Sequence, residues 1–136
     1  MMERRQLLYL SRLAADTSPA CVAEIVRAAR RRNATEGISS LLVFDGWRFC
    51  QYIEGAGAAV GELADRLCLD ARHTDVKVLH QGRSAHSLAL EGHSLLYALN
   101  YDDSLDRFNQ IGGAAAVNLL AGMLPSFDME PEFPCL

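Results

Sequence analysis

Gln51 is the first residue whose type and position point to chemistry. It lies in GWRFCQYIEG (Gly46 to Gly55), where Trp47, Phe49 and Ile53 alternate and so share one face of a predicted strand. Gln51 falls on that same apolar face. A buried primary amide needs partners for two donors and an acceptor, and each one left unpaired costs about 1–3 kcal/mol. Either another part of the chain satisfies it or a group that is not protein does. Tyr9, in QLLYLSRL, is a second polar group on a strand with apolar residues on both faces.

The other reactive side chains suggest less. Arg30-Arg31-Arg32 is the one dense basic run among 12 Arg and one Lys. At the end of a helix such a run is a solvated cap that complements the dipole, with phosphate binding as the minor alternative. Cys21, Cys50, Cys68 and Cys135 form no CxxC pair. With four scattered histidines they make neither a zinc pattern nor a disulfide framework. Cys21, Cys50 and Cys68 read as core fillers. The net charge of −4 gives no reason to expect nucleic acid as a partner. MMERRQLLYL is not a signal peptide and no stretch reaches membrane-spanning length, so a cytoplasmic protein with reduced thiols is expected.

The elements that position these residues can be read in order. A chain of 136 residues, half of them hydrophobic and 22% charged, is one globular domain in size and composition. Gln6–Leu13 is a first strand, with Leu7, Tyr9 and Ser11 on one face and Leu8 and Leu10 on the other. Ser18 and Pro19 open a helix to about Arg32 with the stripe Cys21, Val22, Ile25, Val26, Ala29. GISSLLVF and WRFCQYIEG form a hairpin about Asp45-Gly46. Val60, Leu63, Ala64 and Leu67 mark a second helix, DVKVLHQG a fourth strand and HSLLYALN a fifth. The fold class is therefore α+β, a ferredoxin-like βαββαβ(β) sheet with two helices on one face. Its first and third strands are central neighbours, which sets Tyr9 beside Gln51 beneath the helices. DDSLDRFNQIGGAAAVNLLAGMLPSF reads as two short helices broken at Gly112-Gly113, a cap for the other face. The division is 1–99 as the core and 100–136 as cap and tail.

LLYLSRL, AARRRNATEGISSLLVF, FCQYIEG and DRLCLDARHTDVKVL, in this order and spacing, resemble the BLUF domain, a blue-light sensor that uses flavin. The resemblance runs from about Arg5 to Leu99. It implies that Tyr9 and Gln51 contact the flavin ring between the two helices and that Asn33, closing the first helix, binds its carbonyl and amide edge. It further implies apolar walls from Ile25, Leu42, Phe49 and Leu67, and contacts from Arg66, Asp70 and His73. Arg30 and Arg32 would meet ribityl or phosphate oxygens. The implied photochemistry is electron and proton transfer from Tyr9, leaving Gln51 rearranged. The implied cofactor is FAD, with FMN or riboflavin as the other flavins of that ring.

Three positions depart from the family pattern. His93 stands for its Trp and Leu95 for its Met on the fifth strand, the expected signal relay, and Ser40 replaces a Gly. No enzyme activity is expected; the implied output is an unidentified protein partner or a homo-oligomer, with neither nucleic acid nor membrane. Two other readings use the same plan. One is an acylphosphatase-like hydrolase recruiting Arg12 and Asn33, although SRLAADTS lacks the glycines of a phosphate loop. The other is a ligand-binding or interaction module without photochemistry.

Overall fold

The computed structural model describes residues 4–83, 87–88, 90 and 92–130, so Cys135 lies outside the described residues. Six strands form one sheet in the order β4-β1-β3-β2-β5-β6. They are β1 (Arg4–Leu13), β2 (Ser39–Phe44), β3 (Arg48–Ala56), β4 (His73–Arg83), β5 (Leu96–Leu99) and β6 (Asp128–Met129). Helices α1 (Cys21–Glu36) and α2 (Gly57–Leu69) cover one face. A 3-10 turn (Ser104–Phe108) and α3 (Gly113–Met123) cover the other. This is the ferredoxin-like α+β plan with its C-terminal cap. β1 is antiparallel to β3 with Tyr9 opposite Gln51, and β5 runs parallel to β2.

Several elements differ in extent from the sequence reading. α1 does not stop at the arginine run. It continues through Asn33 to Glu36 and ends where Gly37 turns left-handed (φ 69°), so Asn33 lies inside the last turn. In the hairpin only Gly46 takes positive φ (105°). The Asp45 carboxylate instead accepts the backbone N–H groups of Trp47 and Arg48 at 3.2 and 2.7 Å. That leaves Trp47 outside the ladder and 44% exposed, with the Arg48 and Arg12 guanidinium groups 4.3 and 5.0 Å from its ring centroid. Trp47 is therefore not part of the buried face. β5 is shorter than expected: His93 and Leu95 precede it, because the His93 and Ser94 carbonyls are already bound by Ser40 and Asn33 before the ladder begins. Of the cysteines, Cys50 is a core filler whose thiol burial pushes up to about 12, whereas Cys21 is half-buried and Cys68 exposed. β6, two residues that pair with β5, carries no pattern in the sequence.

The two faces of the sheet are packed differently. On the cap side a single continuous core joins Leu8, Leu10, Cys50 and Tyr52 to Leu105, Phe108, Val117 and Leu120. The helix side holds two separate clusters. α1 packs Val22, Val26 and Ala29 on Leu42, Phe44, Phe49 and Leu95. α2 packs Val60 and Leu63 on Leu7, Tyr9, Ile38 and Ile53. A seam runs between them, and Gln51 stands at it.

Phe108 is fully buried in the cap-side core, so Phe108→Ala should cost about 3–5 kcal/mol, the usual range for emptying such a site. Urea denaturation monitored by circular dichroism would measure it. A loss below 1 kcal/mol would show that the cap does not share the sheet's cooperative unit.

Candidate functional site

The strand register brings the first two site residues together. Tyr9 and Gln51 face each other across β1 and β3, 3% and 6% exposed, and the Tyr9 hydroxyl donates to Gln51 Oε1. Burial holds the Tyr9 phenol far above its ordinary pKa, with Cys50, Asp70 and Cys68 adding to the shift. The phenol therefore keeps its proton and acts as a donor. Tyr9 is the only hydrogen-bond partner of the Gln51 side chain among the described residues.

Around this pair the seam is a narrow slot of about 40 Å³, lined by Tyr9, Ile25, Leu42, Phe49, Gln51, Leu67, Asp70, Arg72 and His73. Each element supplies its part for a local reason. The stripe of α1 presents Ile25, alternation on β2 and β3 presents Leu42 and Phe49, and the exit of α2 presents Leu67, Asp70, Arg72 and His73. His73 is fixed by two bonds. Its Nε2 lies 2.5 Å from the Leu67 carbonyl, an acceptor only, so Nε2 carries the proton and Nδ1 accepts from the Ser11 hydroxyl at 3.0 Å. The ring stands edge-on to Tyr9, centroids 6.2 Å apart. Asp70 receives a forked bond from Arg72, Nε at 2.9 Å and Nη2 at 2.7 Å. That bond holds the Asp70 carboxyl below its ordinary range. Arg72 was not among the expected site residues. Its signal was its place two residues beyond Asp70 at the helix exit, where a guanidinium can turn back on a carboxylate.

Four expected contacts do not line the slot. Arg30 turns toward the β5 side, where Nε donates to the Leu95 carbonyl at 3.1 Å and Nη2 meets Glu130 at 2.5 Å. Arg32 is half-buried, and its Nε has no partner. Arg66 bridges the helices by an ion pair with Glu36 at 3.1 Å. Asn33 is 1% exposed, and its Nδ2 binds Ser40 Oγ and the Ser94 carbonyl. Its Oδ1 is buried and without a partner. The relay residue Leu95 is buried in the α1 cluster, and His93 is half-buried. Arg12 pairs with Asp75 and stacks on Trp47, away from Asn33, so the pairing a hydrolase would need is not assembled.

A family model described as sensors of blue-light using FAD matches residues 5–88. The chain belongs to the BLUF family. Photoactivated adenylate cyclase subunit beta of Euglena gracilis is 38% identical over 74 residues, 54% of this chain and 9% of that protein. The blue light- and temperature-regulated antirepressor BluF of Escherichia coli is 31% identical over 70 residues, 52% of this chain and 17% of that protein. The chain thus spans less than a fifth of these curated relatives. The match to the BLUF protein BlrB in its dark state is nearly full length, with a TM-score of 0.76 at 25% identity covering 93% of this chain and 98% of that one. Photo-activated BlsA shares the fold, with a TM-score of 0.73 at 19% identity over 97% and 99% of the two chains. The chain is a flavin-using blue-light sensor of the BLUF type, and no helix among its described residues is long and apolar enough to cross a membrane.

Because Asp70 titrates lower folded than unfolded, its contribution is present above the ordinary value of 3.8 and is lost as pH falls through the folded value. Melting temperature measured from pH 6 to pH 3 should therefore fall less steeply for Asp70→Asn than for the parent. The two curves should draw closer toward the acid end. Parallel curves would show that the Asp70–Arg72 fork does not contribute to folding.

Proposed function

We propose that Tyr9 and Gln51 form the photoactive pair, with the flavin ring held in the seam between α1 and α2, and that the bound flavin is FAD. The carrying observation is the buried Tyr9–Gln51 pair, aligned by strand register at a slot between the α1 and α2 clusters. The donor set fits such a ring. Ile25, Leu42, Phe49 and Leu67 offer apolar walls, Asn33 Oδ1 offers a buried acceptor, and Arg72 and His73 stand at the rim. The slot must widen to take three fused rings. Two clusters that do not interlock let the helices part at little packing cost.

The flavin supplies blue-light absorption and redox chemistry. The chain supplies a protonated phenol poised to give up an electron and its hydroxyl proton, and an amide that can turn. In the dark Gln51 accepts from Tyr9 through Oε1. Turning the amide would present Nε2 there instead and change which groups the side chain can bind elsewhere. The change would leave through Leu95 and β5 to the tail at 100–136, which caps the core at 1–99, and from there to a protein partner or a second copy in the cytoplasm. Arg30 and Arg66 are occupied by carboxylates and are assigned no flavin contact; Arg32 keeps the ribityl or phosphate role.

Purified protein should be yellow and release FAD on denaturation, and blue light should shift its bands slightly to the red and reversibly. Tyr9→Phe and Gln51→Leu should keep flavin and abolish the shift. Protein that takes up no added FAD would sink the reading, and a normal shift in Tyr9→Phe would show that another residue is the donor.

Hydrogen exchange compared in dark and light should change in residues 94–120. Unchanged protection there beside a normal spectral shift would mean that the signal leaves by another route.

A further inference from the structure

Ser40 is fully buried on β2, on the same side of the sheet as Leu42, at a position where the family pattern has glycine. Its hydroxyl donates to the Ser94 carbonyl at 2.8 Å. It also lies 3.2 Å from Asn33 Nδ2, which itself donates to the Ser94 carbonyl at 3.0 Å. The three groups close a triangle whose proton positions are determined. A hydroxyl has one proton, and here it is committed to Ser94, so toward Asn33 the oxygen offers only a lone pair. The carbonyl likewise offers only lone pairs. Two lone-pair oxygens at 3.0 and 3.2 Å would repel the amide oxygen, so the amide places its nitrogen there. Its two ends are nearly the same shape, so without such partners it could turn over at small steric cost.

We infer that Ser40 is a positioning residue that locks the Asn33 amide with Oδ1 facing away from the triangle, buried and free to accept. That acceptor suits a ring imide or amide N–H and rejects a ring that presents a carbonyl at the same place. The same bonds tie Ser94, two residues before β5, to the last turn of α1. A change at Asn33 therefore pulls directly on the entry to β5. Next to it Leu95 packs among Val22, Val26 and Phe49 with no polar group of its own. The polar latch adds a hydrogen-bonded coupling, beside the packing of Leu95, between the site and the strand that pairs with the tail. Ser40 acts through Asn33 and is not among the residues that line the slot. The inference rests on the reading that Asn33 meets a flavin.

The test uses the full chain with flavin bound and the variant Ser40→Ala, which removes only the hydroxyl. Flavin content and the light-induced shift should be retained. Dark recovery should quicken about fivefold or more, the equivalent of one ordinary hydrogen bond. The light-dependent change in hydrogen exchange at residues 94–99 should disappear, and Ser40→Thr, which keeps the hydroxyl, should restore both. Recovery within twofold of the parent, with the exchange difference intact, overturns the latch. Ser40→Gly carries the same prediction if the alanine variant does not fold. A dark measurement separates this from the flavin reading. Ser40→Ala and Asn33→Ala should each lower protection at 94–99, and the double variant no further, whether or not flavin binds. Additive losses overturn the latch; non-additive losses in a protein that takes no flavin overturn the flavin reading and leave the latch standing.

Discussion

A primary amide at the centre of the sheet, facing helices instead of water, is the constraint on which the site depends. Gln51 shares its face of β3 with Phe49 and Ile53, and the register of β1 delivers the Tyr9 phenol to its oxygen. Burial keeps that phenol protonated, so the bond has a fixed direction. The amide also interrupts the apolar surface between the two helices. α1 and α2 therefore settle on separate clusters, with a narrow slot at the seam between them. On the cap side the apolar core is continuous.

Charge and hydrogen bonding are distributed to keep this seam ordered at its ends. At one end His73 is pinned between Ser11 and Leu67, and Asp70 is forked by Arg72. At the other end Asn33, Ser40 and Ser94 close on each other. On the opposite face a buried carboxylate, Glu54, gathers donors from Tyr52, Gln6, Ser87 and Arg4. Burial alone would raise its pKa. Those four bonds outweigh burial and lower it, so the carboxylate stays charged. β3 thus carries a neutral amide on one side and a fully satisfied anion on the other.

Much of the fold was legible because hydrophobic period and turn chemistry leave few choices. The alternation of Leu7, Tyr9 and Ser11 against Leu8 and Leu10 assigned β1 to a doubly covered position, and the βαββαβ order then made β1 and β3 neighbours. The apolar residues 105, 108, 117 and 120 had to cover the remaining face, and they do. Boundaries were less legible. The arginine run looked like the end of α1, but a solvated basic turn is also a good helix interior, and the stop was fixed by Gly37, whose backbone takes the left-handed turn. Trp47 fitted the strand period, yet the Asp45 carboxylate captured the turn's N–H groups and put the indole outside the ladder.

The sequence by itself determined the topology and the pairing of Tyr9 with Gln51, because these follow from strand register and helix periodicity; most of the slot lining was legible only through the family resemblance. Tertiary structure alone decided the partners of the long polar side chains. Arg30, Arg32 and Arg66 had the right charge for a phosphate or ribityl chain, but a guanidinium on a flexible stem binds the carboxylate or carbonyl that folding brings within reach. For Arg30 and Arg66 those are Glu130 with Leu95 and Glu36, residues from 30 to 100 positions away. Arg72 reached the slot for the same reason. Ser40 and Ser94 meet Asn33 only because β5 is laid parallel to β2 by a connection from the far edge of the sheet. No local pattern encodes such a meeting, since hydrogen-bond partners are set by where backbones converge in space.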